Sequence, residues 1–322
     1  MPLLEVKNLK TYFRVKRGSV KAVDNVSFEV EKGEAMGLVG ESGCGKTTIA
    51  LSILRILPSN GKILGGNILF RGTDLVKLTE DEMRTNVRWK GISIVFQGAM
   101  NALNPVYKVG EQIIESIRLH EEYVTKEQAD ERVEKLFELV GVDPSRRDNY
   151  PHEFSGGMRQ RAMIAMALSC NPELLIGDEP GTALDVIVAA QVLKLMNDLR
   201  MKLNLSMIMI SHDLSIIAET CQKTAIMYGG KIGEYADITK VFKEPLHPYT
   251  QGLMGAFPGI RAEKTRMSSI PGSPPDLLSP PPACRFHPRC KYAMDICRTK
   301  EPELVDVGKK HYVACHLVHQ RI

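Results

Sequence analysis

The segment Gly40-Glu-Ser-Gly-Cys-Gly-Lys46-Thr47 decides the fold class of this chain. It fits the pattern G-x-x-x-x-G-K-[S/T] in full, directly after an apolar run at Ala35–Val39 and directly before a helical pattern at Thr48–Leu57. Its glycines let backbone N–H groups surround a phosphate, and the following helix adds its positive end. We therefore predict a nucleotide-binding loop in which Lys46 contacts the β- and γ-phosphates and the Thr47 hydroxyl binds Mg²⁺. The alternative is a glycine-rich turn that matches by chance.

Apolar runs bounded by turn residues predict five buried strands. They lie at Ala35–Val39, Ile92–Phe96, Glu173–Ile176, Met207–Ile210 and Thr224–Met227. Helical patterns separate several of them, one opening with a capping residue at Thr125 and another covering Leu184–Leu203. This alternation predicts an α/β fold with a mostly parallel sheet between helices. Alternating residues at Leu3–Val6 and Val26–Val30 predict a small antiparallel subdomain at the front.

Length and composition limit the class of protein. The chain has 322 residues, of which 43% are apolar and 25% charged, as in soluble globular proteins. A net charge of +4 excludes a general nucleic-acid coat. The longest uncharged stretch, Gly91–Tyr107, contains three amides and Pro105 and is not a membrane helix. Because the N-terminus also lacks a signal-peptide pattern, we expect a cytoplasmic protein.

Cysteine and proline contents both change near residue 255. Nine of the 18 prolines lie from Pro258 onward, and four of the seven cysteines lie in the last 39 residues. These are Cys284, Cys290, Cys297 and Cys315. We therefore predict one large domain at 1–255 and a small, turn-rich C-terminal extension at 256–322.

Polar side chains at the ends of predicted strands are candidate catalytic residues. Asp178 and Glu179 end the run Leu174-Leu-Ile-Gly-Asp-Glu, where Asp178 suits the outer shell of Mg²⁺ and Glu179 suits a general base for water. Gln97 follows the strand ending at Phe96 and is a candidate ligand of Mg²⁺ and the attacking water. His212 is a candidate γ-phosphate contact. The alternatives are solvated loop acids and structural strand-end residues.

The segment Phe154-Ser-Gly-Gly-Met-Arg-Gln160 predicts a second anion site. Ser155 can cap the following helix, and Gly156 and Gly157 leave N–H groups exposed at its positive end. One protomer cannot easily bring both anion sites to one phosphate, whereas two protomers packed head to tail can. An ordinary capped helix is the alternative.

These motifs, in this order, resemble the ATP-binding subunits of ABC transporters. The resemblance assigns the Walker A motif to Gly40–Thr47, the Q-loop to Gln97, the signature to Ser155–Gln160, Walker B to Leu174–Asp178, the D-loop to Ala183–Asp185 and the H-loop to His212. It implies an ABC nucleotide-binding domain of the P-loop NTPase class, with an antiparallel β subdomain and a helical subdomain at about 98–165. It also implies that ATP lies between the Walker A of one subunit and the signature of another.

The resemblance implies a set of site residues. In one subunit they are Phe13, Tyr12, Gly40, Ser42, Gly43, Cys44, Gly45, Lys46, Thr47, Thr48, Gln97 and Asp178, with Mg²⁺ bound by Thr47, Gln97 and Asp178. From the other subunit they are Ser155, Gly156, Gly157, Gln160 and Asp185. Catalysis falls to Glu179, His212 and Gln97. Phe13 is the residue expected to stack on adenine, with Tyr12 as its neighbouring candidate; simple packing is the alternative for both.

Longer segments narrow the resemblance to the oligopeptide/dipeptide importers. They are Gln97–Pro105, His247–Gln251, Ile270–Pro275 and the tail at Cys284–Cys290 and His311–His316. The implied function is an ATPase that powers peptide uptake at the cytoplasmic face of the membrane. Its implied partners are a second ATPase (itself or a related chain), two transmembrane permease subunits, contacted through the loop from Gly98 to about His120, and indirectly an extracellular solute-binding protein, without nucleic acid.

Two departures and several alternative functions remain. Gly177 replaces the apolar residue usual before the Walker B aspartate, and Gly181 stands where threonine is common. Since both acids are intact, we still expect hydrolysis. The alternatives are oligosaccharide or nickel uptake, a soluble ABC ATPase outside transport, and a non-hydrolysing binding module.

The four C-terminal cysteines predict a metal site. A short proline-rich segment has little core of its own, and a reducing cytoplasm disfavours disulfides. Four thiolates suit a [4Fe–4S] cluster or Zn²⁺. The spacing lacks the close pair typical of zinc sites, and members of the resembling family carry a [4Fe–4S] cluster on such a tail, which favours iron–sulfur. Unligated cysteines are the alternative.

Overall fold

The computed structural model describes residues 1–98, 102–255 and 270–320. The chain forms two compact units. The first comprises residues 1–30, 35–76 and those from 210 onward, and the second comprises residues 31–34 and 77–209. The predicted domain boundary at 255/256 adjoins residues 256–269, which lie outside the described residues, so that boundary stays a prediction.

Twelve strands are present in the described part of the chain. They are β1 (Leu4–Val15), β2 (Gly18–Val30), β3 (Ala35–Val39), β4 (Gly61–Phe70), β5 (Thr73–Asp74), β6 (Ile92–Val95), β7 (Leu174–Asp178), β8 (Ser206–Ser211), β9 (Lys223–Tyr228), β10 (Lys231–Asp237), β11 (Val305–Asp306) and β12 (Tyr312–Val313).

The described α-helices number eleven. They are α1 (Lys46–Leu54), α2 (Glu80–Glu82), α3 (Val109–His120), α4 (Lys126–Val140), α5 (Gly156–Leu168), α6 (Val186–Leu203), α7 (Leu214–Thr220), α8 (Ile238–Lys243), α9 (Pro248–Gly255), α10 (Ile296–Thr299) and α11 (His316–His319). None of these described helices combines the length and the apolar character needed to cross a membrane.

The first unit contains two sheets. In the antiparallel sheet the strand order is β2-β1-β4-β5, with Leu4 opposite both Val30 and Phe70. In the other sheet β3 pairs in parallel with β9, and β10, β12 and β11 follow in antiparallel pairs. The residues of β3 are all buried, as a strand covered on both faces requires. Because β12 pairs with β10, part of the C-terminal extension belongs to this sheet.

The second unit combines a parallel strand pair with a group of helices. β6 pairs in parallel with β7, with Ile92 opposite Leu174. Thr125 caps α4 in a reciprocal capping box with Gln128, as its sequence pattern predicts, and Gly141 ends the helix at a φ of 69°. The buried face of α4 is Ala129, Val133, Leu136, Phe137 and Val140.

The sequence placed several element ends wrongly by a few residues. α1 begins at Lys46, two residues before the predicted start, and ends at Leu54 because Arg55 takes a left-handed conformation. By contrast, α5 begins directly after Ser155, its predicted cap, and includes both glycines of the predicted anion site. β1 and β2 are far longer than the alternating runs that predicted them, because bulges in β1 at Val6–Leu9 shift the alternation without ending the pairing.

Candidate nucleotide-binding site

The loop at Gly40–Thr47 connects the buried strand β3 to α1, as predicted. A side chain at Gly40 would meet the backbone oxygen of Met227 at 2.2 Å, and one at Gly45 would meet that of Ala22 at 2.1 Å. Gly43 and Gly45 also have φ angles of 77° and 107°, which favour glycine. Local sterics therefore explain why these positions are glycines, and the result is a loop that turns tightly into a helix N-terminus.

Lys46 closes the loop on itself. Its Nζ donates hydrogen bonds to the carbonyl oxygens of Gly40 at 2.7 Å and Glu41 at 3.2 Å, and the residue is only 5% exposed. Cys44 is buried beneath the loop, and burial raises the pKa of its thiol. Ser42, Gly43 and Thr47 are exposed. The helix N-terminus therefore carries an enclosed lysine and an exposed threonine, the residue types that bind a phosphate and Mg²⁺.

Strand β1 carries the two aromatic candidates for adenine stacking. Tyr12 donates a hydrogen bond to the Asp24 carboxylate at 2.9 Å, and burial together with that bond raises its pKa to about 12. The Phe13 ring packs on Gly61, because a side chain there would come within 2.7 Å of the ring. Both aromatics are half-buried. The structure thus gives Tyr12 a structural partner and Phe13 a packing contact, and adenine stacking stays a prediction.

In the second unit, Gln97 and Glu179 are brought together although 82 residues separate them. Gln97 Nε2 donates to Glu179 Oε2 at 3.1 Å, and the Thr182 hydroxyl donates to the same oxygen at 3.1 Å. Asp178 is the last residue of β7 and is 1% exposed. Glu179 follows in a left-handed conformation with a φ of 47°. This change of backbone direction gives the two carboxylates different surroundings: that of Asp178 is buried, whereas that of Glu179 accepts a hydrogen bond from Gln97, the predicted ligand of the attacking water.

The glycine before Asp178 has a packing reason. A side chain at Gly177 would come within 3.0 Å of Met196 Cε and 3.2 Å of Met209 Sδ. Two methionines therefore fill the space that the usual apolar residue takes, and the strand keeps its carboxylate.

The signature segment caps α5 as predicted. Ser155 Oγ accepts a hydrogen bond from the Met158 N–H at 3.3 Å, and Gly156 and Gly157 form the first turn. Gln160 is 3% exposed, and its Nε2 has no hydrogen-bond partner among the described residues. An unsatisfied buried amide is uncommon in native proteins.

The two remaining motif residues lie at helix starts. Asp185 is the N-cap of α6 and accepts from the Val188 N–H at 2.9 Å. It is followed by Val186 and Ile187, which are 86% and 73% exposed. His212 directly follows β8 and is exposed, and Asp213 caps α7. Val186 and Ile187 are therefore two neighbouring apolar side chains exposed on the surface.

The fold gathers the four C-terminal cysteines. Burial raises the pKa of the Cys284 thiol to about 11, and Cys297, Cys315 and Cys290 each add to the rise. The Cys284 N–H donates to the Cys297 carbonyl at 3.1 Å. Nevertheless, nowhere in the described residues do three or more histidine, cysteine, aspartate or glutamate side chains form a set that could hold a metal ion. The donor chemistry suits the predicted site, while the thiols are not arranged as ligands.

Sequence reasoning missed several residues that shape the loop. Glu41 donates its N–H to the Tyr249 hydroxyl at 3.1 Å, and the Gly230 N–H donates to the Cys44 carbonyl at 3.0 Å. Asp24, the partner of Tyr12, also pairs with Lys231 at 3.5 Å. The only signal for Tyr249 was its place in the segment His247–Gln251, which carried part of the family resemblance.

Comparison with known proteins identifies the family. The ABC transporter family matches residues 23–182, and the oligopeptide/dipeptide transporter C-terminal region matches residues 234–297. The oligopeptide transport ATP-binding protein OppD of Bacillus subtilis is 47% identical over 321 residues, which cover 98% of this chain and 89% of that protein. The chain belongs to the ABC transporter ATP-binding subunits of the oligopeptide/dipeptide group.

A further relative agrees with this membership, and solved structures show the same fold. The dipeptide transport ATP-binding protein DppD of Bacillus subtilis is 44% identical, covering 99% of this chain and 96% of that protein. A dimeric ATP-binding cassette, MJ0796, in a post-hydrolysis state with ADP and Pi has a TM-score of 0.65 at 22% identity, covering 73% of this chain and 98% of that chain. The cbiO1 subunit of Clostridium perfringens also has a TM-score of 0.65 at 24% identity, covering 76% of this chain and 91% of that chain. The predicted α/β ABC fold is thereby confirmed.

Proposed function

We propose that this ABC subunit binds and hydrolyses ATP to power the uptake of oligopeptides or dipeptides through a membrane importer. The observation that carries the proposal is the Gly40–Thr47 loop with its enclosed Lys46, together with the Gln97–Glu179 pair. Peptide as the cargo is supported by the names of the relatives, which are oligopeptide and dipeptide transport proteins.

The proposal gives each residue a chemical task. Lys46 and the loop amides bind the triphosphate, and Thr47, Gln97 and Asp178 are the residues that would hold Mg²⁺, which neutralises phosphate charge when bound. Glu179 accepts the proton of the attacking water, and the hydrogen bonds from Gln97 and Thr182 hold its carboxylate in place. His212 contacts the γ-phosphate.

Replacement of the general base tests this mechanism. Glu179→Gln keeps the shape and the hydrogen-bonding capacity of the side chain but cannot accept the proton of water. We expect ATP binding to persist while turnover falls by at least about 100-fold. Turnover near that of the parent protein would contradict the role of Glu179, and loss of ATP binding would contradict the separation of binding from chemistry.

We further propose a head-to-tail dimer of ATPase subunits. The Ser155–Gln160 segment and Asp185 would then meet the ATP held by the partner's Walker A loop. The unpartnered Gln160 amide and the exposed Val186 and Ile187 support a partner at this face. Either a second copy or a related ATPase chain fits the proposal, and mixing two differently tagged copies with ATP distinguishes them.

The partners in the membrane are proposed to be two permease subunits. Exposed apolar side chains precede and end α3: Val106 is 70%, Tyr107 55% and Leu119 65% exposed. They lie in the region from Gly98 to His120, of which residues 99–101 are outside the described residues. Such a peripheral contact would hold the subunit at the cytoplasmic face, where it serves an importer supplied by an extracellular solute-binding protein.

For the four cysteines we propose a [4Fe–4S] cluster, with Zn²⁺ as the alternative occupant. The mutual influence of the thiols on their pKa values supports a shared site, although the side chains would have to turn toward a common centre. Anaerobically purified protein should absorb near about 400 nm and contain iron and acid-labile sulfide. Colourless protein with stoichiometric zinc would contradict the cluster, and metal-free protein would contradict both.

Oligosaccharides and nickel are the alternative cargoes, and a soluble ATPase outside transport is the alternative role. Co-purification of the chain with membrane permeases would contradict the soluble role. The ligand specificity of the importer's solute-binding protein would decide among the cargoes.

A further inference from the structure

The C-terminal extension forms an ion pair with the phosphate-binding loop. Arg289, one residue before Cys290, contacts both carboxylate oxygens of Glu41, at 2.6 and 3.0 Å. Glu41 is the second residue of the Gly40–Thr47 loop. The Arg289 side chain is 6% exposed and that of Glu41 26%. A bidentate contact of this kind fixes both position and orientation of the carboxylate.

Two further contacts hold the Arg289 side chain in place. Its Nε donates to the Pro271 carbonyl at 2.7 Å, and its guanidinium lies 5.6 Å from the centre of the Tyr228 ring. The hydrogen bonds with Glu41 are the main cause of its raised pKa. The arginine therefore stays charged and has little freedom to leave.

A second arginine of the same segment contacts Asp24, the hydrogen-bond partner of Tyr12. Arg285, one residue after Cys284, donates to the Asp24 carboxylate, which also accepts from Tyr12. It also donates to the carbonyl of Gly229, beside the glycine that binds the Cys44 carbonyl. The stretch from Cys284 to Cys290 thus contacts residues behind both ends of the predicted nucleotide site.

The charge of Glu41 makes the Arg289 contact functionally important. Glu41 belongs to the loop that would hold a triphosphate, and its backbone carbonyl accepts a hydrogen bond from Lys46 Nζ. Unpaired, the Glu41 carboxylate would repel the phosphates and compete for the lysine. Among the described residues, Arg289 is the only cation that pairs with it.

We propose that Arg289 is a positioning residue for ATP: by neutralising and fixing Glu41, it sets the affinity of the phosphate loop and makes the C-terminal extension part of the nucleotide site. The inference rests on the proposed role of Gly40–Thr47 in binding ATP. It predicts that the extension influences ATP affinity without contacting ATP.

The test compares variants of the full-length chain by displacement of the fluorescent analogue TNP-ATP and by steady-state ATPase assays. Arg289→Gln should weaken ATP binding and raise KM about tenfold while kcat stays within about twofold, because the unpaired carboxylate acts on binding. Arg289→Lys keeps the charge but not the bidentate contact, so its ATP affinity should lie between those of the parent protein and Arg289→Gln. Arg298→Gln, an exposed arginine in the same segment, is the matched control and should change neither value.

The double variant Glu41→Gln/Arg289→Gln separates charge from folding. Removal of the carboxylate should return ATP affinity to within about threefold of the parent, since no unpaired charge remains. Unchanged affinity in Arg289→Gln, or a double variant as weak as Arg289→Gln, would overturn the inference. Lys46→Ala tests the proposed function separately. If this variant loses ATP binding, the assignment of Gly40–Thr47 as the ATP-binding loop stands even where the Arg289 inference fails. If it retains ATP binding, the loop assignment and the inference are both overturned.

Discussion

The backbone conformation of Glu179 determines which groups its carboxylate contacts. Its left-handed φ of 47° costs free energy in a residue other than glycine, and such strain is typical of functional sites. The angle turns the Glu179 carboxylate away from the direction of buried Asp178 and toward Gln97 and Thr182. Two adjacent acids thereby acquire different environments, which suits one to a metal and the other to a water.

The glycines of the phosphate loop give a prediction at this scale. Gly43→Ala and Gly45→Ala both place a side chain at a positive φ, which costs about 1–2 kcal/mol. Only Gly45→Ala also clashes with a backbone atom, the Ala22 oxygen, while nothing lies within 4 Å of the Gly43 position. We therefore expect the Gly45 variant to lower the free energy of unfolding by clearly more, as measured by urea denaturation. Equal losses would contradict the steric account.

His247 predicts a pH dependence of stability. Burial lowers its pKa from 6.5 to about 4, and its Nδ1 accepts from the Tyr249 N–H. As the pH falls, the imidazole of His247 is protonated in the unfolded chain before it is protonated in the folded chain. The stability that neutral His247 contributes is therefore complete above pH 6.5 and is lost between pH 6.5 and 4. The loss should reach about 2 kcal/mol at pH 5.

His247→Asn is the comparison for that pH dependence. Its oxygen can accept the same N–H but does not titrate. The stability advantage of the parent chain over this variant should therefore shrink by about 2 kcal/mol between pH 7.5 and pH 5. An advantage that is constant over this range would contradict the assignment to His247.

At the scale of elements, two helix caps with the same local chemistry should differ in function. Ser155 caps α5 and Thr125 caps α4. Replacement of either by alanine should lower the free energy of unfolding by about 1 kcal/mol, since each loses one cap hydrogen bond. Only Ser155→Ala should also reduce ATP turnover, because α5 begins with the proposed signature. A loss of turnover in Thr125→Ala would show that helix stability alone explains the effect.

Elements also show where sequence patterns succeed. The strands β3 and β7 and the helix α4 were predicted because apolar spacing and caps are local properties. The full length of β1 was missed because its bulges break the alternation while its pairing with β2 and β4 continues. That pairing is decided by strands elsewhere in the chain.

At the scale of the whole molecule, a buried carboxylate joins distant parts of the first unit. Glu234 on β10 is fully buried and accepts from the N–H groups of Leu246 at 3.0 Å and His247 at 2.9 Å. His311, between β11 and β12, lies 2.7 Å from the same carboxylate. Burial opposes the charge of Glu234, but these partners lower its pKa overall.

Removal of the Glu234 carboxylate should lower the free energy of unfolding far more than removal of the His311 side chain. Glu234→Leu leaves three buried donors without an acceptor, and we expect it to lower the free energy of unfolding by about 3–5 kcal/mol. His311→Leu leaves the two backbone bonds intact and should cost about half as much. Guanidinium denaturation of both variants measures the difference, and similar small losses would contradict a central role for Glu234.

The sequence alone determined the phosphate loop, the order of the motifs, the α/β class and the family, because each depends on residues that are close together in the chain. From the sequence, the C-terminal extension was predicted to be separate from the large domain. Only the tertiary structure placed β12 in the sheet beside β10 and Arg289 on Glu41, 248 residues away. An ion pair between such distant residues leaves no local pattern, because its partners meet only after the strands between them have packed.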